Sequence, residues 1–225
     1  MKNLGFININ LDNLHEATEE EITYYLFLNG YNVKNLMAIR RLPKEEIQRH
    51  IVEGKMKYKV IEKASNPKEL LYKLCKTPKN DKIYTLNMLD KDIKAQLIDY
   101  IRKNYVNLYS KEKETALWII GELKSEEAMD VLIKGAVHKF VNVKRMALSA
   151  MAKIGSKKGE AAVLRALEDE NPQVVAYAIK ALITINPEGH REKIQEIRRN
   201  SGNKGICMAC DKYLGSAQGL VNREE

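Results

Sequence analysis

Three stretches decide the fold: EKETALWIIGEL at 112–123, VKRMALSAMAKI at 143–154 and VVAYAIKALITI at 174–185, each 31 residues after the last. Superimposed at that offset, positions 116, 147 and 178 are all alanine. Positions 117, 148 and 179 read Leu, Leu, Ile, and 123, 154 and 185 read Leu, Ile, Ile. Small residues between the apolar ones let helices approach closely. Three further segments recur at the same spacing, Ala128 to Ile133, Gly159 to Leu164 and His190 to Gln195. Self-similarity at a fixed period of this size is the signature of stacked two-helix units, each unable to bury both of its faces alone. Gly155 and Asn186 are placed to close the helices before them, and Asn171-Pro172 to turn the chain between helices.

This pattern resembles HEAT-like repeats, the two-helix units related to those of phycobilin lyases. The resemblance covers about 112–200 and implies an α-solenoid whose concave face binds peptides, proteins or, in some lineages, duplex DNA. Such a stack needs helices before it. Asn66 to Lys76 and Asp81 to Asn104 carry the apolar periodicity of one or two degenerate, capping units (Leu70, Leu71, Leu74; Ile93, Leu97, Ile101).

Upstream, Thr18-Glu19-Glu20-Glu21 reads as a helix N-cap with acids in the first turn, and that helix stops at Gly30. Asn32 can cap a second short helix, and after Leu42-Pro43 a third begins, with Ile47 and Ile51 inward. From Gly30 to Ile51 the sequence resembles, without gaps, the helix-turn-helix of bacterial DNA-binding proteins. That resemblance implies that the third helix enters a major groove, with Lys44, Glu45, Gln48 and Arg49 toward bases and phosphates. Arg49 is the best suited to a phosphate or a guanine, because its guanidinium fork matches both.

Charge is uneven in the same direction. The 225 residues carry a formal charge of +8, yet residues 1–31 sum to −4 while 32–82 hold 14 Lys and Arg against six acids. Local density of cations is what a phosphate backbone requires. The expected nucleic-acid contacts are therefore Arg40, Arg41, Lys44, Gln48, Arg49, Lys55, Lys57 and Lys59. Lys113, Lys144, Arg145 and Lys180 on the repeats form a second ladder for a partner or for phosphates.

Other chemistry finds little support. Three cysteines make no disulfide framework and point to a cytoplasmic, reducing setting. No apolar window is long enough to span a membrane, and the first residues lack the pattern of a signal peptide. Cys207 and Cys210 form a CxxC without a second pair of zinc ligands, so they are weak metal candidates, and no cofactor is expected. The four histidines have no metalloprotease spacing and no phosphate-binding glycine loop is present. Alkylpurine DNA glycosylases resemble the chain in repeat type, length and basic charge. They need an aspartate beside aromatic residues, whereas Trp118 is the single tryptophan and suits packing.

The sequence thus predicts an all-α protein: a trihelical helix-turn-helix unit at 1–60, a HEAT-like helical repeat domain at 61–200 and a C-terminal tail at 201–225. The expected function is a non-enzymatic bacterial nucleic-acid-binding adaptor or regulator, with the N-terminal unit on DNA, as a homodimer, and the repeats binding a partner protein or extending the DNA contact. The alternative is a protein-interaction scaffold that does not touch DNA, and base excision on duplex DNA comes third.

Overall fold

The alanines at 116, 147 and 178 are all fully buried, and they sit where neighbouring helices touch. In the computed structural model, which describes residues 17–58, 64 and 66–221, every regular element among those residues is helical. They run α1 (Glu19–Leu28), α2 (Val33–Arg40), α3 (Lys44–Tyr58), α4 (Pro67–Lys76), α5 (Lys79–Met88), α6 (Lys91–Asn104), α7 (Ser110–Glu122), α8 (Met129–Ala136), α9 (Val141–Ile154), α10 (Glu160–Ala166), α11 (Pro172–Ile185), α12 (Arg191–Asn200) and α13 (Lys204–Val221). The chain divides into two compact units at Leu97/Ile98, inside α6, so α4 and α5 group with the N-terminal unit.

In the second unit α7, α9, α11 and α13 lie side by side as one layer, and α8, α10 and α12 pack across them as the other, the arrangement of an α-solenoid. Close approach depends on residues without bulk. A Cβ added to Gly121 would stand 2.8 Å from the Cα and Cβ of Ala150, and one on Gly135 would stand 3.0 Å from Ala147. Successive repeats are also tied by polar contacts one period apart. Lys153 pairs with Glu122, the Thr184 hydroxyl donates to the Ala152 carbonyl at 2.8 Å, and the Ser156 hydroxyl donates to Glu126 at 2.8 Å. Helix ends follow the sequence: Gly155 closes α9 with a left-handed φ of 70°, Asn171 caps α11 with Pro172 in its first turn, and Asn186 ends α11.

Across Asp81 to Asn104 the backbone turns extended at buried Leu89, separating α5 from α6. One expectation needs correction: the described residues from 201 to 221 are not a tail, because α13 packs on α11 and α12 and buries Ile206, Ala209, Cys210 and Tyr213. Ala209 lies 31 residues after Ala178, so α13 occupies the place of a fourth first-helix of the repeat. Tyr213 fixes it, donating from its hydroxyl to the Asn186 carbonyl at 2.8 Å and accepting from the His190 N–H at 3.2 Å.

In the N-terminal unit, Thr18 and Glu21 close a reciprocal capping box on α1, and the Asn32 side chain caps α2. Both helices pack on α3 around buried Leu36, Ile47 and Ile51, with Leu26, Phe27, Val33, Met37 and Leu42 against them. Tyr24 is fully buried and its ring stacks on Tyr58 at 5.7 Å between centroids.

The packing at Gly121 sets a sign that can be measured. At an exposed helical site Gly→Ala gains about 1 kcal/mol from helix propensity. Gly121→Ala instead forces α7 from α9, and denaturant unfolding is expected to show a net loss of roughly 1–2 kcal/mol.

Candidate functional site

The basic zone of the N-terminal unit is less open than its charge suggests. Arg40 is paired with Glu19 and only 14% of its side chain is exposed. Arg49 is gripped by three acids, with its guanidinium 2.5 Å from Glu46, 2.9 Å from Glu53 and 3.7 Å from Glu20. Those hydrogen bonds raise the Arg49 pKa further above its ordinary value, and the same contact lowers the Glu46 carboxyl. Beside this cluster His50 is buried, its Nδ1 3.1 Å from the Thr23 hydroxyl and its Nε2 3.6 Å from Glu46. A recess of about 470 Å³ opens nearby, lined by Thr18, Glu20, Glu21, Glu53, Tyr58 and Tyr84. It is acidic. Tyr58 donates to Glu21 at 2.8 Å, and burial followed by that carboxylate pushes its phenol well above the usual range.

The remaining N-terminal candidates are spread. Arg41 ends α2 in the left-handed region, with φ 53° and ψ 39°, and is exposed, as are Lys44 and Gln48 at the start of α3. Lys55 is exposed with its ammonium 5.2 Å from the centroid of Phe27. The side chain of Lys57 and all of Lys59 lie outside the described residues.

The solenoid presents a different arrangement. Of the repeat ladder, Lys144 is bound to Asp169 at 2.5 Å and Lys113 stands 5.7 Å over the ring of Tyr105. Arg145 and Lys180 meet at Tyr177, whose ring centroid is 4.9 Å from the Arg145 guanidinium carbon and 5.3 Å from the Lys180 ammonium. Arg145 donates to Gln173 at 2.9 Å and to the Tyr177 hydroxyl at 3.3 Å, which lowers the Tyr177 pKa against the opposing effect of burial. Among the described residues no carboxylate lies within ion-pair reach of Arg145 or Lys180, and the Arg145 Nε is buried without an acceptor. Beside Arg145 and Tyr177 a recess of about 290 Å³ is lined by these two and by Glu114, Asn142, Met146 and Ser149, from α7, α9 and α11, with Lys180 next to it against the Tyr177 ring.

Sequence reasoning named Arg145 and Lys180 but missed Tyr177, Glu114, Asn142 and Ser149. Periodicity could have found them: Glu114 and Arg145, and Ser149 and Lys180, occupy equivalent outward positions of successive repeats. Trp118, half-buried, is equivalent to Ser149 and sits one turn after Glu114 on α7.

At the C-terminal end, Cys207 donates its thiol to the Ser201 carbonyl at 3.2 Å, and burial pushes the Cys210 thiol up to about 11. A thiol raised by burial is a poor nucleophile. No group of three or more His, Cys, Asp or Glu among the described residues is placed to hold a metal ion. No described helix is long and apolar enough to cross a membrane.

Residues 109–183 match the family model described as HEAT repeats. No curated protein matches the chain. Among solved structures, the crystal structure of an engineered protein from the Northeast Structural Genomics Consortium is similar: it is 15% identical, with 90% of this chain and 98% of that chain covered and a TM-score of 0.46.

The Lys144–Asp169 pair makes a pH prediction. Burial raises the Asp169 pKa, but hydrogen bonds from Lys144 and the Asn171 amide outweigh it and hold the carboxyl below its ordinary 3.8. A depressed folded-state pKa contributes stability above the unfolded value that is lost as pH falls through the folded one. Lys144→Met is expected to lose about 1–2 kcal/mol at neutral pH. In denaturant titrations the gap from wild type should close as the pH drops below about 4.

Proposed function

We propose that this chain, a HEAT-like repeat protein over residues 109–183, works as a protein-interaction scaffold and that its partner rests on the outward face of α7, α9 and α11. The observation that carries this reading is the recess between those helices, where hydrogen-bonding groups and the Arg145 guanidinium meet the Tyr177 ring, with Lys180 against the same ring. Several other cations of the unit meet acids of the same chain: Lys134 and Arg102 with Asp130, Lys158 with Glu126, Lys193 with Glu168 and Arg198 with Asp211. Exposed pairs of that kind offer a partner little, while an unpaired guanidinium on an aromatic ring is typical of contact hot spots.

The test is site-specific photo-crosslinking in cells of the source organism. A photoreactive residue at Asn142, in the recess, is expected to yield a discrete protein adduct, and one at Lys134 on α8 to yield none. Adducts at Lys134 alone, or at neither position, would overturn the scaffold reading.

A second reading, duplex contact by α3, draws on the exposure of Arg41, Lys44, Gln48 and Lys55. Glu19, Glu46 and Glu53 oppose it by occupying Arg40 and Arg49. Phosphate contacts give affinity that falls steeply with salt. Titrating a labelled random-sequence duplex at two salt concentrations decides it: the scaffold reading expects no salt-sensitive micromolar binding. Such binding, removed by an Arg41/Lys44/Lys55→Ala variant, would establish a nucleic-acid-binding N-terminal unit.

A further inference from the structure

Within the proposed scaffold reading, on which this inference rests, we infer that the recess of α7, α9 and α11 binds an extended acidic peptide, seating one carboxylate side chain between Arg145 and Lys180 over Tyr177. The cations are held in place before any ligand arrives. Both stand against the ring of Tyr177, with the Arg145 guanidinium carbon at 4.9 Å and the Lys180 ammonium at 5.3 Å from its centroid. Gln173 and the Tyr177 hydroxyl fix the guanidinium by hydrogen bonds at 2.9 and 3.3 Å. The Arg145 Nε is buried without an acceptor, and both cations lack a carboxylate among the described residues. A guanidinium so fixed matches a carboxylate with little loss of side-chain freedom, and the missing counter-charge is the one an acidic residue supplies.

The rest of the lining identifies the carrier of that carboxylate. Asn142 can donate and accept, Ser149 can do both through its hydroxyl, and Glu114 only accepts when ionised. Together they suit the alternating N–H and C=O groups of an extended backbone. Glu114 also sets a charge limit. A peptide can place a backbone N–H against it, whereas a nucleic-acid backbone would set a negative phosphate there. On α9 the flanking cations are spent, Lys144 on Asp169 and Lys153 on Glu122, so no continuous track for phosphates runs along that helix. Met146 adds an apolar, adaptable wall for the stem of the acidic side chain.

The full-length chain would be titrated with a fluorescein-labelled eight-residue peptide of alternating serine and glutamate. A serine–lysine peptide of the same length and a short labelled duplex serve as comparisons. Fluorescence anisotropy reports binding, and the emission of Trp118, the single tryptophan, serves as a second signal from α7, one turn after Glu114. Saturable binding of the acidic peptide alone is expected, weakened roughly tenfold or more by Arg145→Gln and several-fold by Lys180→Gln. Lys153→Gln, which removes a cation already paired with Glu122, should leave it unchanged. Circular dichroism checks that each variant keeps its helices, and Lys180, exposed on α11, gives a second variant should Arg145→Gln unfold. Absence of saturation up to about 1 mM peptide, or binding that neither variant weakens, would overturn the inference. Tighter binding of the duplex, lost in the same variants, would overturn it in favour of phosphate. If the Asn142 adduct persists while the peptide fails, the inference falls and the scaffold reading stands; loss of both removes both.

Discussion

The second unit depends on how closely α7, α9, α11 and α13 can approach. Alanine at 116, 147, 178 and 209 holds the seam between them, each buried at the same place in its repeat, and Gly121 brings the backbones of α7 and α9 nearly into contact. A larger side chain at any of these positions would separate helices whose interdigitated Leu and Ile contacts supply the hydrophobic stabilisation. With the seam fixed, residues one period apart are brought within hydrogen-bonding distance. Glu122 with Lys153, and Ala152 with Thr184, are consequences of that spacing.

The same spacing builds the recess. Tyr177 stands against Arg145 because the two lie one repeat and one residue apart, and Lys180 returns to the ring from the next turn of α11. Neither cation was brought there by an acid. Elsewhere in the unit several basic side chains, among them Lys153, Lys193 and Arg198, end on a carboxylate of another segment, which stabilises the stack modestly. At Tyr177 the aromatic face takes the place of the carboxylate. A cation–π contact holds the cations without neutralising them, so their charge stays available.

Much of the fold was legible because its constraint repeats. An alanine recurring at a fixed offset among apolar neighbours reports a packing seam without knowledge of partners, and the caps at Asn171, Gly155 and Asn186 are local chemistry. Reading failed where the repeat changed its residue types. Cys210 and Tyr213 replace Ile179 and Leu182 one period later, so α13 looked like a polar, cysteine-bearing tail although Ala209 continues the seam. Charge misled for a different reason. Counting 14 cations between 32 and 82 says nothing of where acids fold against them, and Glu19, from the acidic stretch before that zone, is the partner of Arg40.

The recess shows which information periodicity does carry about a site. Seam positions are held to alanine in all four copies because a change there disturbs two helices at once. Positions lining the recess escape that restriction: 114 and 145 read Glu and Arg, and 118, 149 and 180 read Trp, Ser and Lys along the same row of the repeat. A ligand that lay evenly along the face would meet similar groups at every repeat, as a uniform phosphate backbone would require. The groups here differ at every repeat, with a hydrogen-bond acceptor on α7, a guanidinium and a hydroxyl on α9, and an aromatic ring and an ammonium on α11. A surface that changes chemistry every 31 residues fits a ligand that also changes chemistry along its length, as a polypeptide does and a sugar–phosphate chain does not.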